Sequence, residues 1–231
     1  MVRLNIKGMS SREVNAKLRE LTGAEEEIVI EHPDSVHNLG AALKGQVRIV
    51  VEGSTGFYTG GFLEGPTMVI KGNTGWYTGD NMTAGEIIVE MNTGSNAAPS
   101  MIGGTVVIKG STGSRTGFGM KGGDLIICGD AGRWTGGMTL GGRIVILGRV
   151  GQGLGESMYK GVIHTADPEV EDKIGGNVIV RPIDDQEKEE VAGLLARYGI
   201  EAGVEDLLSV MPTPGGRHQY HLFKPTHKKA G

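Results

Sequence analysis

The residues able to do chemistry in this chain are few and scattered. A lone thiol, Cys128, would serve as a nucleophile only beside an activating base or in a positive field, and no histidine lies near it in sequence. It falls in a variable column with Lys71, Glu90, Lys109 and Leu147, which predicts an outward position of no special character. His218 and His221 have a spacing that would suit two metal ligands on one helical face, but Pro214-Gly215-Gly216 argues against a helix there and no carboxylate or thiol partner is close. Together with His32, His37, His164 and His227 they are expected to be surface or interface histidines. Gly151-Gln152-Gly153-Leu154-Gly155 has the look of a phosphate cradle, yet no helix follows whose N-terminus would hold the anion. Its outer glycines share columns with Gly132 and Gly136, so corners of a repeat are the expected use. The sequence therefore predicts no catalytic, cofactor-binding or metal-ligating residue in this chain.

What stands out instead is chemistry of recognition. After a shared Thr-Gly step come Phe57-Tyr58, then Trp76-Tyr77, then Arg115, then Arg133-Trp134. A chain corner does not require aromatic rings, and Trp, Tyr, Phe and Arg are the types enriched in protein interfaces. A partner interface is expected here; the competing use is to shield the molecule's own edge.

The element that must position these residues is a tandem repeat with a 19-residue period, running from about Arg48 to Gly161. Gly56, Gly75, Gly94, Gly113, Gly132 and Gly151 recur in one column. Gly60, Gly79, Gly117, Gly136 and Gly155 form a second, interrupted by Ala98, and Gly85, Gly104, Gly123, Gly142 and Gly161 a third. Between them sits an apolar triplet, from Ile49-Val50-Val51 to Ile144-Val145-Ile146. A short period without insertions is what a stacked solenoid needs. Such a unit is too short for a pair of packed helices, and Val and Ile favour extended backbone. The predicted fold is an all-β solenoid, a parallel β-helix with 19-residue coils and short flanking α-helices. Each coil is expected to hold a strand, a glycine corner where φ is positive, a second short strand and another corner.

Parity assigns the faces. The first and third residues of each triplet are predicted to point inward, and the middle ladder, Val50, Val69, Ile88, Val107, Ile126 and Val145, outward. An outward apolar stripe needs a cover, from this chain's own helix or from another protein.

The flanks divide the chain into 1–26, an N-terminal cap with a capping box at Ser10 and Glu13; 27–183, the β-helix; and 184–231, C-terminal helices and an extended tail. Glu27 to Gln46 is expected to be a divergent first coil, and Val178-Ile179-Val180 the strand of a shortened last coil. Asp184 with Glu187 opens a helix, and a second short helix is expected around Val204 to Val210.

Composition excludes several classes. Lys and Arg number 23 against 27 Asp and Glu, a net charge of −4 with the signs interspersed, so the basic footprint of a nucleic-acid binder is missing. No apolar run approaches the roughly 20 residues of a membrane span, and the opening residues lack a signal-peptide core. One cysteine excludes an internal disulfide framework. A soluble, cytoplasmic protein is expected.

The repeat units Gly75-Trp76-Tyr77-Thr78-Gly79-Asp80-Asn81-Met82-Thr83-Ala84-Gly85 and Gly113-Ser114-Arg115-Thr116-Gly117-Phe118-Gly119-Met120-Lys121-Gly122-Gly123 resemble the GXGXG β-helix family. That family includes the C-terminal domain of the glutamate synthase large subunit, free-standing versions of it, and the GXGXG subunit of formylmethanofuran dehydrogenase. Gly53 to Tyr58 and Gly151 to Tyr159 are most similar to the free-standing subunit of N-methylglutamate synthase (methylamine-glutamate N-methyltransferase). That resemblance implies a non-catalytic structural subunit with two partner chains. One is a class II glutamine-amidotransferase-like subunit. The other is a glutamate-synthase-like subunit carrying FMN and an iron–sulfur cluster. No family catalytic residue carries over, since the matching positions are structural glycines and methionines. The GXGXG subunits of ordinary glutamate synthase and of formylmethanofuran dehydrogenase, a molybdenum or tungsten enzyme, are the alternative memberships.

Overall fold

The strands pair in the register that the sequence period dictates. In the computed structural model, which describes residues 1–214, Ile49 lies beside Met68, Met68 beside Ile87, and so on to Ile144 beside Ile163, each step one full repeat. The elements in chain order are β1 (Val2–Asn5), α1 (Ser11–Leu21), β2 (Glu27–Glu31), β3 (Arg48–Val51), β4 (Glu64–Ile70), β5 (Ala84–Val89), β6 (Thr105–Ile108), β7 (Asp124–Ile127), β8 (Leu140–Ile146), β9 (Lys160–Thr165), β10 (Val178–Pro182), α2 (Asp185–Arg197) and β11 (Leu208–Pro212), with one 3₁₀ turn at Val170–Asp172. From β1 to β9 all neighbours are parallel and consecutive, the topology of a β-solenoid. The first step, Glu27 beside Arg48, is longer than the repeat and marks the divergent coil.

Each coil contributes two inward side chains from its strand. Ile49, Met68, Ile87, Val106, Leu125 and Ile144, and their partners two residues on, are wholly buried in the solenoid's interior. Leu63, Met82, Met101, Met120 and Met158 close the core from the turn side. Flexible thioethers fill the irregular space between a strand and a corner well. The expected second short strand is reduced to single parallel bridges along Thr74, Thr93, Thr112, Ala131 and Val150, because the chain turns again within two residues of each.

The glycine columns correct one expectation and explain themselves. Gly56, Gly75, Gly94, Gly113, Gly132 and Gly151 do not have positive φ. They are glycine because the coils lie too close: a Cβ on Gly113 would stand 2.6 Å from the backbone nitrogen of Ser95 in the coil below. Positive φ belongs to the other two columns, as at Gly117 with φ of 68°.

The two ends are closed differently. Helix α1 begins at a capping box in which Ser10 accepts from the Glu13 N–H and Glu13 accepts from the Ser10 N–H. It lays Val14 and Leu18 over the first coil, and the Asn15 amide donates to the Asn38 carbonyl at 2.8 Å while accepting from the Gly40 N–H at 2.9 Å. At the far end, Leu208–Pro212 forms a strand where the sequence predicts a helix. β11 lies antiparallel between β9 and β10, so Val178 to Val180 is not a shortened coil stacked on β9. The open edge of β9 requires hydrogen-bonding partners, and Leu208-Ser209-Val210, with Val210 wholly buried in the core, meets that need as an extended segment.

Helix α2 opens with a second capping box, Asp184 and Glu187, and covers part of the outward stripe. Val107, Ile126 and Val145 are wholly buried under Val191, Leu194 and Leu195, in a cluster separate from the interior. Arg143, bonded to Asp124 at 2.9 Å and Glu190 at 3.1 Å, and the Tyr198 hydroxyl, donating to Glu86 at 2.8 Å, pin its position. Among the described residues no helix is long and apolar enough to cross a membrane.

Candidate partner interface

The side chains expected to form an interface stand on the turn that follows the Thr-Gly step of each coil. Buried threonines brace this turn: Thr59 donates to Thr55 and Thr78 to Thr74, both at 2.8 Å, and Thr112 and Thr116 share a bond of 2.6 Å. The backbone then alternates through left-handed residues. Tyr58, Tyr77, Arg115 and Trp134 have φ of 58°, 63°, 57° and 59°. A left-handed backbone at a residue with a Cβ costs about 1 to 2 kcal/mol. Asn96 and Gly153, the types that tolerate it best, occupy the same column in other coils. Aromatic rings and a guanidinium are thus retained where the backbone favours Gly or Asn.

These residues form two groups, not one row. At the N-terminal end the His37 and Phe57 rings stack at 4.8 Å, Phe57 meets Trp76 at 5.8 Å, and Tyr58 lies parallel to Tyr77 at 4.7 Å. At the C-terminal end Arg115 and Arg133 both lie over the Trp134 ring, at 4.7 and 4.9 Å. Ser95, Asn96 and Ser114 separate the two groups. Phe57 is 44% exposed, Tyr58 39% and Trp76 52%. Neither Arg115 nor Arg133 forms an ion pair with any described residue, so both guanidiniums keep donors for a partner.

The first glycine column makes these stacks possible. A Cβ on Gly75 would stand 2.5 Å from the Phe57 ring, and one on Gly94 would run into the Trp76 indole; Gly153, in the column of Tyr58 and Tyr77, leaves the same room for the Trp134 ring. The rings of Phe57, Trp76 and Trp134 each rest on a glycine of the next coil. His37 belongs to the aromatic group although the sequence does not point to it, because its spacing from Phe57 falls out of the repeat register. Its Nδ1 accepts from the Phe57 N–H at 2.9 Å.

The other chemistry-bearing residues lie elsewhere. Cys128 is half-buried at the margin of the α2 cluster; burial pushes its thiol up, against the opposing effect of Lys109. His164 is not a surface histidine. It is 1% exposed on β9, with Nδ1 3.0 Å from the Ser209 hydroxyl, and burial lowers its pKa to about 4. Ser209 in turn donates to Glu187 at 2.9 Å, and Arg181 grips Glu187 with two bonds of 2.8 and 2.7 Å. Burial pushes the Glu187 carboxyl up, but Arg181, the Asp184 N–H and Ser209 outweigh it and hold it below the ordinary range. The order of contacts is that of a structural network: the carboxylate orients the serine, not the imidazole. Gly153 and Gly155, with φ of 81° and 66°, are corner residues. Among the described residues no group of three or more His, Cys, Asp or Glu has the arrangement of a metal site. His218, His221 and His227 lie outside the described residues.

The fold and the repeat columns define a class, that of GXGXG-motif proteins. The family description "GXGXG motif" matches residues 35–211, most of the chain, and the chain belongs to that family. Among solved structures it is similar to a chain of the formyltransferase/hydrolase complex from Methylorubrum extorquens, determined in complex with methylofuran, with a TM-score of 0.62, 19% identity, and coverage of 86% of this chain and 84% of that one. That likeness is one of fold. No curated protein matches the sequence.

Proposed function

We propose that this chain is a structural β-helix subunit of a hetero-oligomeric enzyme, docked onto partner subunits through its turn edge. The reading rests on the pair of groups Phe57, Tyr58, Trp76, Tyr77 and Arg115, Arg133, Trp134. They stay outward, partly exposed and with left-handed backbone among them, although Gly or Asn would fit the column with less strain. Rings and guanidiniums on a rigid ladder lose little entropy on docking, which is what anchor residues require. The partners, not this chain, would carry the cofactors and the reacting groups, and the complex would act in the cytoplasm.

Of the particular complexes, the formyl-transferring type, with this chain in the place of the GXGXG subunit of formylmethanofuran dehydrogenase, takes first place. It is supported by the fold likeness to a chain of a formyltransferase/hydrolase complex, which spans most of both chains. The reading favoured on sequence, N-methylglutamate synthase with a glutamine-amidotransferase-like and an FMN and iron–sulfur partner, becomes second and rests on the segments Gly53 to Tyr58 and Gly151 to Tyr159. Purification of the tagged chain from its native cell, with mass spectrometry of the partners and an absorption spectrum, tests both levels. Co-purifying enzyme subunits support the structural role, and a molybdopterin-bearing or a flavin-bearing partner decides between the complexes. Recovery of a chain that turns over substrate alone would overturn the reading.

A further inference from the structure

Where α2 begins, a polar groove of about 580 Å³ opens between the helix and the strands β7, β8 and β9. Asp124, Arg143, His164, Asp184, Glu187 and Glu190 line it. His164 is the residue there whose hydrogen bonds do not close. Ser209 has a single hydrogen and donates it to Glu187 at 2.9 Å. Toward His164, at 3.0 Å, the Ser209 oxygen is therefore an acceptor, so the ring proton stands on Nδ1. Burial keeps the ring neutral at physiological pH, its pKa standing at about 4. Nε2 is left as a bare lone pair, and no described residue donates to it.

Among the described residues every wholly buried side-chain nitrogen or oxygen has a partner. The unbonded Nε2 is therefore the atom through which this residue, only 1% exposed, opens into the groove it lines. The surroundings carry negative charge in excess. Asp124 and Glu190 share Arg143, at 2.9 and 3.1 Å, and Asp184 and Glu187 share Arg181, at 3.5 and 2.7 Å, so four carboxylates stand against two guanidiniums.

We propose that the groove binds a small organic cation with N–H donors, a primary ammonium in the simplest case, with Nε2 of His164 accepting one of its hydrogens and the surrounding carboxylates offsetting its charge. A nearly buried acceptor without a partner favours a ligand that donates. The carboxylate excess favours a cation over an anion. The His, Asp and Glu side chains do not have the arrangement of a metal site, so the fit is to an organic ion. Arg181 and Ser209 act as positioning residues: through Glu187 they fix the tautomer that leaves Nε2 open.

The test uses the full chain labelled with ¹⁵N, the His164 ring nitrogens being assigned through His164→Asn. Ethylammonium chloride is titrated at constant ionic strength. Before addition Nδ1 is expected to carry the proton and Nε2 to show the shift of an unprotonated nitrogen; on addition the Nε2 signal moves and saturates. Tetramethylammonium, equal in charge but without a donor, is expected to bind about tenfold more weakly, the contribution of one charge-assisted hydrogen bond. Ser209→Ala is expected to let the proton move to Nε2 and to abolish the response. A proton on Nε2 in the unsubstituted chain overturns the proposal, as does an Nε2 signal that answers to neither ion. Equal responses to the two ions overturn it as well, since the groove would then select charge alone, and so does an undiminished response in Ser209→Ala.

Discussion

The strand face and the turn edge of this solenoid grow from one 19-residue register and end in opposite states. On the strand face the chain buries its own apolar ladder: Val107, Ile126 and Val145 disappear under α2. On the turn edge rings and guanidiniums stay partly exposed, several of them on left-handed backbone, and no element of the chain covers Trp76 or Arg115 among the described residues. Repetition thus supplies two surfaces, one covered in part by the chain's own helix and one that stays partly exposed among the described residues.

The covered face should show the largest response to mutation. Ile126→Ala removes a buried side chain from between β7 and α2 and is expected to cost the isolated chain about 2 to 4 kcal/mol in a denaturant melt. An effect below about 1 kcal/mol would mean that α2 does not cover this face in solution.

Acid attacks the same face through His164. Its pKa is about 4 in the folded chain against an ordinary 6.5, so the unfolded chain holds more protons between those values. Stability is therefore full above pH 6.5 and falls on acidification to pH 4, by about 3 kcal/mol for this group. Glu187 and Asp167, both held below the ordinary carboxylate range, add their losses at lower pH. His164→Asn should flatten the pH 4 to 6.5 portion of the profile, and an unchanged slope there would assign the acid sensitivity to other groups.

On the edge itself the glycine column sets a smaller effect. Gly113→Ala and Gly113→Val are expected to destabilise by about 1 to 3 kcal/mol, rising with side-chain size, because the added atoms meet the backbone of Ser95. Ser114→Ala, one residue on, should change stability by only about 0.5 kcal/mol. Equal effects in the two melts would refute close approach between coils as the reason for the column.

How much of this is legible in the sequence follows from what repetition records. The coil, the inward ladders and the capping boxes at Ser10 and Asp184 are readable because each is local or periodic. The column at Gly113 shows its position but not its cause, since a close approach between coils leaves the same mark as a positive φ. The segment that becomes β11 reads as a helix, because its extended form is imposed by the open edge of β9, a distant part of the chain. His164 reads as a surface residue for the same reason: Ser209, Glu187 and Arg181, which bury and order its surroundings, come from three later elements. The candidate interface residues are visible as a column, but their division into a ring stack and an Arg–Trp–Arg cluster depends on which neighbours the turns bring together.

The smallest effect on the isolated chain belongs to the edge. Trp76→Ala with Trp134→Ala should leave its stability within about 1 kcal/mol, since both side chains are partly exposed. The same pair should weaken assembly with the partner subunits by about 2 kcal/mol or more if these are anchor residues. Circular dichroism melts and the mass of the purified complex separate the two quantities.

The proposed docking of the turn edge, beside a strand face covered by α2, predicts a distinct pattern in hydroxyl-radical footprinting of the chain alone and in its native complex. Trp76, Tyr58 and Trp134 are expected to be oxidised in the free chain and protected in the complex, with the α2 surface around Glu189 and Arg197 equally reactive in both. Persistent oxidation of the edge residues in the complex, with protection appearing over α2 instead, would reverse the roles assigned to the two faces.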